Sequence, residues 1–324
     1  MPVKKVERSA PGKIILCGEH SVVYGHPAIA VPISDMRSYA RVVPGPAGQG
    51  LRICALDLNQ ECALMETTDT HPLGRLARLV LRELDLPEPD AVLTVASELP
   101  IASGMGSGAS ISVAAARALS AALGAELPPE AISRITYEVE KIHHGTPSGI
   151  DNTVIAWEQP VYFVKDTSPR GPLDDRPEMF EIHAPLKLLI ANSGIASSTK
   201  EAVDEVRRRW TATPAYYDIV FNCIGAIARA ARAAVEQGAL HALGTLINEN
   251  HELLVKMGVS LPQLDQLIAA ARAAGALGAK LTGSGQGGNI IALVEDETKD
   301  AVQKAVIKAG AVSVWQTTVG LQDA

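Results

Sequence analysis

The stretch ELPIASGMGSGASISVAAARAL, Glu98–Leu119, is the most informative part of the chain. Three alternating glycines lie between a predicted strand, AVLTVAS, and a predicted helix: Gly104, Gly106 and Gly108. Glycine lets a backbone turn tightly and approach a ligand, and a helix N-terminus presents unpaired N–H groups to anions. The loop therefore indicates anion binding. The alternative is an ordinary strand-to-helix connection that is capped by one of its own serines.

Strand-like and helical stretches are mixed on both sides of this loop, which indicates an α+β or α/β protein. VIAW and VYFV, after residue 153, predict a pair of strands. The sharpest break in composition is SPRGPLDDRPE, Ser168–Glu178, which is rich in Pro and Asp. We place a domain boundary just after it, which divides the chain into residues 1–184 and 185–324.

Composition excludes several classes of protein. A chain of 324 residues suggests about two domains of roughly 100–200 residues each. The formal net charge of −7 argues against nucleic-acid binding, which needs a basic face. Four scattered cysteines without a CxxC pair suit a reducing cytoplasm. The N-terminus, MPVKKVERSAPGK, lacks the apolar core of a signal peptide, and no apolar run predicts a transmembrane helix.

A second glycine-rich segment is KLTGSGQGGNIIALV, Lys280–Val294. It matches the GxGxxG string, but a strand-like run follows the loop where a dinucleotide site requires a helix. Two interpretations stay open at this point: a hairpin, or a second loop that faces phosphates.

Charged residues flank both glycine loops. In YEVEKIHHGTPSGIDN, Glu140 and Asp151 are candidates to hold Mg²⁺ and to accept a proton in phosphoryl transfer. The alternatives are a solvated helix carboxylate for Glu140 and an N-cap or turn residue for Asp151. In SAPGKIILCGEHSVVYG, Lys13 is either functional or a surface cation, and Glu19–His20 is either functional or a polar turn.

The order and spacing of these segments resemble the motifs of the GHMP small-molecule kinases. APGKIILCGEHSVVYG is similar to the first motif, PIASGMGSGAS to the ATP loop and KLTGSGQGGN to the third motif. HGTPSGIDN and SGIASSTKEAVDEVR are similar to segments of the members that phosphorylate mevalonate. The resemblance runs from about Ser9 to Val294.

This resemblance implies a fold of two α+β domains with the active site in the cleft between them. It implies transfer of the ATP γ-phosphate to the C5 hydroxyl of mevalonate, with Mg²⁺, in isoprenoid biosynthesis. Asp151 would be the catalytic base, Lys13 would assist it and Glu140 would bind Mg²⁺. The residues implied to bind ATP are Pro100, Ile101, Ala102, Ser103, Gly104, Met105, Gly106, Ser107, Gly108, Ala109, Ser110, Gly283 and Gly285. Those implied to seat mevalonate are Glu19, His20, Ser148 and Thr199.

Two departures from the family pattern bear on this expectation. Gly108 occupies the place of a serine that helps to ligate Mg²⁺ in the family, and Gln286 adds a side chain to the third motif. Two rival functions also stay open. One is a GHMP kinase for a related acid or for phosphorylated mevalonate, for which the Arg207–Arg209 run is a candidate phosphate contact. The other is a non-catalytic ligand sensor. No nucleic-acid or membrane partner is expected, and a homodimer is left open.

Overall fold

The computed structural model describes residues 3–100, 104–145, 147–167, 176–196 and 199–320. The chain forms two compact units whose segments interleave. The first unit contains Met1–Gly12, Asp35–Ile101 and Gly106–Glu158. The second contains Lys13–Ser34, Ala102–Met105 and Gln159–Ala324.

Strands and helices are mixed along the described ranges. The strands are β1 (Val6–Cys17), β2 (Ala28–Pro44), β3 (Leu51–Ala55), β4 (Gln60–Ala63), β5 (Ala91–Ser97), β6 (Val161–Val164), β7 (Arg176–Met179), β8 (Leu186–Asn192), β9 (Gly278–Thr282), β10 (Asn289–Leu293) and β11 (Ser313–Val319). The helices are α1 (Pro72–Glu83), α2 (Ser107–Ala122), α3 (Pro129–His144), α4 (Ile150–Trp157), α5 (Thr199–Ala212), α6 (Pro214–Glu236), α7 (Leu240–Met257), α8 (Pro262–Ala273) and α9 (Lys299–Lys308).

The first unit is organised around α2. This helix consists mainly of Ala, Ser and other small residues, and it is buried on almost every side. A helix that is apolar all round must be enclosed by other elements. Here α1, α3 and α4 enclose α2, and its small side chains let them approach closely. Beside the helices, β3 pairs parallel with β5 and antiparallel with β4, and β5 pairs antiparallel with the second half of β2.

The second unit contains an antiparallel sheet in the order β11-β8-β10-β9. Its strands β8, β9 and β10 are almost entirely buried, so they read as continuous apolar runs. Residues of α6, α7, α8 and α9 complete the core on this sheet, with Phe221 as its largest fully buried side chain. The segment between β9 and β10 is the second glycine loop, and the two strands form an antiparallel hairpin.

Most predicted elements are found, and the α+β class is confirmed. One strand prediction is wrong, because VIAW lies inside α4. Val154 and Ile155 favour strands, but both are fully buried where α4 packs on α2 and α3, and this packing outweighs local preference. The compact units also differ from the predicted halves 1–184 and 185–324, since Lys13–Ser34 clusters with the second unit. That division stays a prediction. No helix in the described part of the chain is long and apolar enough to span a membrane.

Candidate active site

The first glycine loop leads directly into α2. Gly104 and Gly106 have φ angles of 80° and 74°, a left-handed conformation that glycine adopts without strain. Gly106 is the N-cap, and no side chain of the described residues caps the helix there. The serine-cap alternative is therefore wrong, because Ser107 already lies inside the helix and Ser110 donates its hydroxyl to the carbonyl of Ala10.

Around this loop the structure describes most of the predicted ATP-binding residues. Pro100 precedes the loop, and Ile101, Ala102 and Ser103 lie outside the described residues. Met105 is fully buried, and Ala109 is buried in the first turn of α2. The uncapped N–H groups of α2 are left available to an anion.

The second glycine loop approaches the first within the second unit. A Cβ on Gly283 would lie 3.6 Å from the Cα of Gly104, and Gly283 has a φ of 90°. Gly285 has a φ of 75°, and a Cβ there would lie 1.8 Å from the carbonyl oxygen of Val259. The second glycine loop is therefore a hairpin in its backbone, as the first interpretation predicted. It also contacts the first glycine loop, the other segment predicted to face phosphates.

Lys13 is a buried residue rather than a surface cation. Its side chain is almost completely enclosed, and Nζ donates a hydrogen bond of 3.0 Å to the carbonyl of Gly104. Its backbone N–H donates to the carbonyl of Met105 at 2.9 Å. The ammonium group is therefore fixed against the first glycine loop. A lysine this deeply buried needs such partners, because an unpaired buried charge is costly.

Glu19 and His20 are also buried, so they are not a solvated polar turn. Glu19 forms an ion pair with Lys280, which is fully buried and donates in addition to the carbonyl of Leu281 at 2.6 Å. Burial raises the pKa of Glu19, and the charge of Lys280 opposes that rise. The second carboxylate oxygen, Oε2, has no hydrogen-bond partner among the described residues.

His20 adopts a strained backbone conformation, with φ 60° and ψ −45°. Its Nε2 lies 3.0 Å from the carbonyl oxygen of Ser284, in the second glycine loop. Burial lowers the pKa of His20 to about 4, so the ring is neutral near pH 7. Since a carbonyl only accepts, Nε2 carries the proton, and Nδ1 is left as a buried acceptor with no partner among the described residues.

Glu140 and Gly108 face each other in the first unit. Glu140 is buried late in α3, which excludes the solvated-carboxylate interpretation. Its Oε1 lies 3.3 Å from the position that a Cβ on Gly108 would take. A carboxylate oxygen is thus held beside the first turn of α2, where a hard cation that is shared with phosphate oxygens would find a ligand.

Asp151 is the second residue of α4, and Gly149 is the N-cap. The N-cap interpretation of Asp151 is therefore wrong. Ser148 accepts a hydrogen bond of 3.3 Å from the backbone N–H of Ile150, which orders the turn before α4. Thr199 is the exposed first residue of α5.

Sequence reasoning missed two buried polar residues near these motifs. Lys280 pairs with Glu19, and Asn250 on α7 accepts a hydrogen bond of 3.3 Å from the N–H of Gly18. Seven buried side-chain polar atoms lack a partner in the described part of the chain, and three of them belong to Glu19, His20 and Asn250. A signal for Lys280 was present, since it is a single charge in the otherwise apolar run ALGAKL.

The Arg207–Arg209 run does not form a free phosphate-binding cluster. Arg208 and Arg209 both donate to Glu205, one turn earlier on α5. These bonds lower the pKa of Glu205 to about 2, which is the signature of a satisfied ion pair. Two of the three arginines are therefore engaged by a carboxylate of their own helix, so the run does not single out a site for a phosphorylated substrate.

Comparison with known proteins gives a consistent result. The GHMP kinases N terminal domain matches residues 72–158, and the GHMP kinases C terminal domain matches residues 231–312. The mevalonate kinase of Thermococcus sibiricus is 34% identical and that of Pyrococcus horikoshii 35% identical. The first alignment covers 94% of both chains, and the second covers 95% of this chain and 94% of the other.

Solved structures agree with the sequence relatives. The crystal structure of L. major mevalonate kinase in complex with R-mevalonate superposes with a TM-score of 0.85 at 28% identity, covering 100% of this chain and 98% of the other. The Methanococcus jannaschii mevalonate kinase superposes with a TM-score of 0.82 at 26% identity, covering 98% of this chain and 99% of the other.

Proposed function

We propose a phosphoryl-transfer reaction from one premise: this chain belongs to the GHMP kinase family and, within it, to the mevalonate kinases. The enzyme transfers the γ-phosphate of ATP to the C5 hydroxyl of mevalonate and forms 5-phosphomevalonate, a step of isoprenoid biosynthesis. The observation that carries this conclusion is the 34–35% identity to mevalonate kinases over 94–95% of the chain. The rival functions, a kinase for a phosphorylated acid and a ligand sensor, have no comparable support.

In this proposal Asp151 accepts the proton of the C5 hydroxyl as that oxygen attacks phosphorus. Asp151 lies in the first turn of α4, where a carboxylate can contact a substrate oxygen without any rearrangement of the helix. Lys13 supplies a fixed positive charge that favours the ionised forms of Asp151 and of the attacking oxygen. Its bond to the Gly104 carbonyl supports this role, because it holds the ammonium against the first glycine loop.

We further propose that the two glycine loops hold the triphosphate of ATP. The residues assigned to this task are Pro100 to Ser110, together with Gly283 and Gly285. Backbone N–H groups at the start of α2 would bind phosphate oxygens, since a helix N-terminus carries a partial positive charge. The contact between Gly104 and Gly283 supports a joint role for the loops.

Glu140 would hold Mg²⁺ together with phosphate oxygens and waters. The described residues include no group of three or more His, Cys, Asp or Glu side chains placed to hold a metal ion. Mg²⁺ fits the present donors nevertheless, because it commonly binds through one or two carboxylates plus substrate phosphates. When bound, the ion would neutralise charge that develops on the transferring phosphoryl group.

Mevalonate would be seated by Glu19, His20, Ser148 and Thr199. The partnerless atoms of Glu19 and His20 support this assignment, since buried polar atoms are ordinarily hydrogen-bonded. Oε2 of Glu19 and Nδ1 of neutral His20 both accept hydrogen bonds, so they would select hydroxyl groups. A cytoplasmic location completes the proposal.

The test is a coupled assay of ADP release with mevalonate, phosphomevalonate, galactose and homoserine. We expect turnover with mevalonate and none above background with the other three. Asp151→Asn keeps the shape of the side chain and removes proton acceptance, so kcat should fall by about 10²–10⁴-fold while ATP binding persists. Turnover of phosphomevalonate in place of mevalonate would refute the substrate. A variant that keeps more than about a tenth of the wild-type kcat would refute the role of Asp151.

A further inference from the structure

The C-terminal end of α4 is held in an unusual conformation. Glu158 follows the helix with φ 52° and ψ 34°, in the left-handed region. A residue with a Cβ rarely adopts this conformation unless its surroundings hold it there. Since α4 carries Asp151 in its first turn, the contacts that hold Glu158 also bear on the proposed catalytic carboxylate.

Two arginines bind the carboxylate of Glu158. Nη2 of Arg37 donates to both carboxylate oxygens, at 3.1 and 2.9 Å, and Nη1 of Arg117 donates to Oε1. All three side chains are mostly enclosed, with exposed fractions of 23%, 20% and 31% for Arg37, Arg117 and Glu158. Charge-assisted bonds with this degree of enclosure constrain geometry more than exposed ion pairs do.

The same arginines connect Glu158 to other elements of the first unit. Arg117 donates from Nη2 to the carbonyl of Ala156, in the last turn of α4, at 2.8 Å, and from Nη1 to the carbonyl of Ser9 at 2.9 Å. Arg37 donates from Nε to the hydroxyl of Ser9 at 2.9 Å. Ser9, Arg37, Arg117 and Glu158 form a network that we call the α4 clamp.

The α4 clamp joins two helices that matter for the reaction. Arg117 lies on α2, whose N-terminus is the first glycine loop, and Glu158 ends α4. At 1.5 Å per residue, Asp151 lies roughly 10 Å from Glu158 along the helix axis. A helix this short moves as a rigid rod, so a shift at Glu158 is passed on to Asp151. The two guanidinium groups also stabilise the C-terminal end of the α4 dipole.

We propose that Arg37, Arg117 and Glu158 are positioning residues that set Asp151 relative to α2. The proposal rests on the proposed function for the role of Asp151. The side chains of these three residues hydrogen-bond to Ser9, to the carbonyl of Ala156 and to one another, so in this proposal each acts through α4. The expected effect is on kcat rather than on substrate binding, because a misplacement of about 1 Å can lower a rate by about 10²-fold.

The test variant is Glu158→Gln, which keeps size and removes the charge that the arginines bind. Glu158→Gly is a second variant, since glycine accepts the left-handed backbone even when the side-chain contacts are lost. The matched control is Glu126→Gln. Glu126 forms an ion pair of 2.5 Å with Arg8 and lines the same cavity of about 360 Å³ as the clamp, but it does not lie on α4.

We expect both Glu158 variants to lower kcat at least about tenfold, with smaller changes in KM for ATP and mevalonate, and Glu126→Gln to match the wild type. Combined with Asp151→Asn, Glu158→Gln should cause little further loss, because both changes act on one carboxylate. Hydrogen exchange of the amides at residues 153–157, which α4 protects by its own hydrogen bonds, should become faster in Glu158→Gln without substrates.

Three results would overturn the proposal: an unchanged kcat in Glu158→Gln, a full additional loss in the Asp151→Asn background, or unchanged exchange at residues 153–157. Failure of the proposed function looks different. In that case the wild-type enzyme does not turn over mevalonate, while the exchange measurement still decides whether the clamp holds α4.

Discussion

Replacing Gly108 by serine should lower the Mg²⁺ concentration that gives half the maximal rate. Gly108 lies in the first turn of α2, and its φ is not in the left-handed region, so the backbone accepts a side chain. Among the described residues outside its own helix, the atom nearest to an added Cβ is Oε1 of Glu140, at 3.3 Å. That contact requires the carboxylate to move by a few tenths of an ångström. The new hydroxyl would then lie beside the proposed metal ligand.

The size of the effect follows from what the hydroxyl replaces. A bond between a hydroxyl and a charged group contributes about 1.5–3 kcal/mol, and part of that is lost when a bound water is displaced. Because Gly108 is exposed, we expect a net gain of about 1 kcal/mol, which corresponds to a roughly fivefold lower Mg²⁺ midpoint. Stability should change little. Serine favours the helix over glycine by about 0.5 kcal/mol, and the tight contact with Glu140 offsets part of this gain.

The assay measures kcat against Mg²⁺ concentration at a fixed, saturating ATP concentration. Gly108→Ala is the matched control, since it adds the same Cβ without a hydroxyl and should leave the midpoint unchanged or raise it. A well-folded Gly108→Ser variant with the Mg²⁺ midpoint of the wild type would show that the hydroxyl is not a metal ligand. An equal decrease in the alanine variant would show that the effect comes from the helix and not from a ligand.

Two further predictions concern buried titratable groups. Lys13→Met should lower kcat at least about tenfold; it should also lower the urea midpoint, because the Gly104 carbonyl loses its donor at a cost of about 1–3 kcal/mol. A variant with normal kcat would remove Lys13 from the chemistry. Acid should destabilise the protein: the pKa of His20 is about 4 in the folded state and near 6.5 when unfolded, so the unfolded chain binds the extra proton between these values. His20 should therefore not change the urea midpoint above pH 6.5 and should lower it as the pH falls toward 4. In His20→Gln this fall should be shallower. An identical pH dependence of the urea midpoint in the variant would contradict the burial of a neutral His20.

The sequence predicted the elements more fully than it predicted the contacts. The bounds of β5, Ala91–Ser97, agree with the predicted strand AVLTVAS because it is a short, mainly apolar run that ends before the glycine loop. The strand prediction for VIAW failed because β-branched residues also suit a fully enclosed helix. Local sequence carries no information about which surface will cover Val154.

At the site, the sequence identified candidate residues but not their partners. Lys13 and Glu140 are buried with fixed surroundings, which spacing along the chain cannot show. The pairing of Lys280 with Glu19 joins residues that are 261 positions apart, and the α4 clamp joins Arg37 to Glu158 across 121 positions. Such pairs arise only when distant segments pack together. Without a second sequence to compare, no local pattern distinguishes them from ordinary surface charges.

The buried pair of Glu19 and Lys280 limits how the proposed acceptor site can be redesigned. A mutant library that varies position 19 alone would leave an ammonium group buried without a counter-charge, and removing one partner of such a pair typically costs about 3–5 kcal/mol. Most variants in the library would then fold poorly, and their substrate preference could not be measured. Replacing both residues by well-packed apolar side chains is often nearly neutral for stability. A library for the proposed acceptor site should therefore vary positions 19 and 280 jointly, although they are 261 positions apart in the chain.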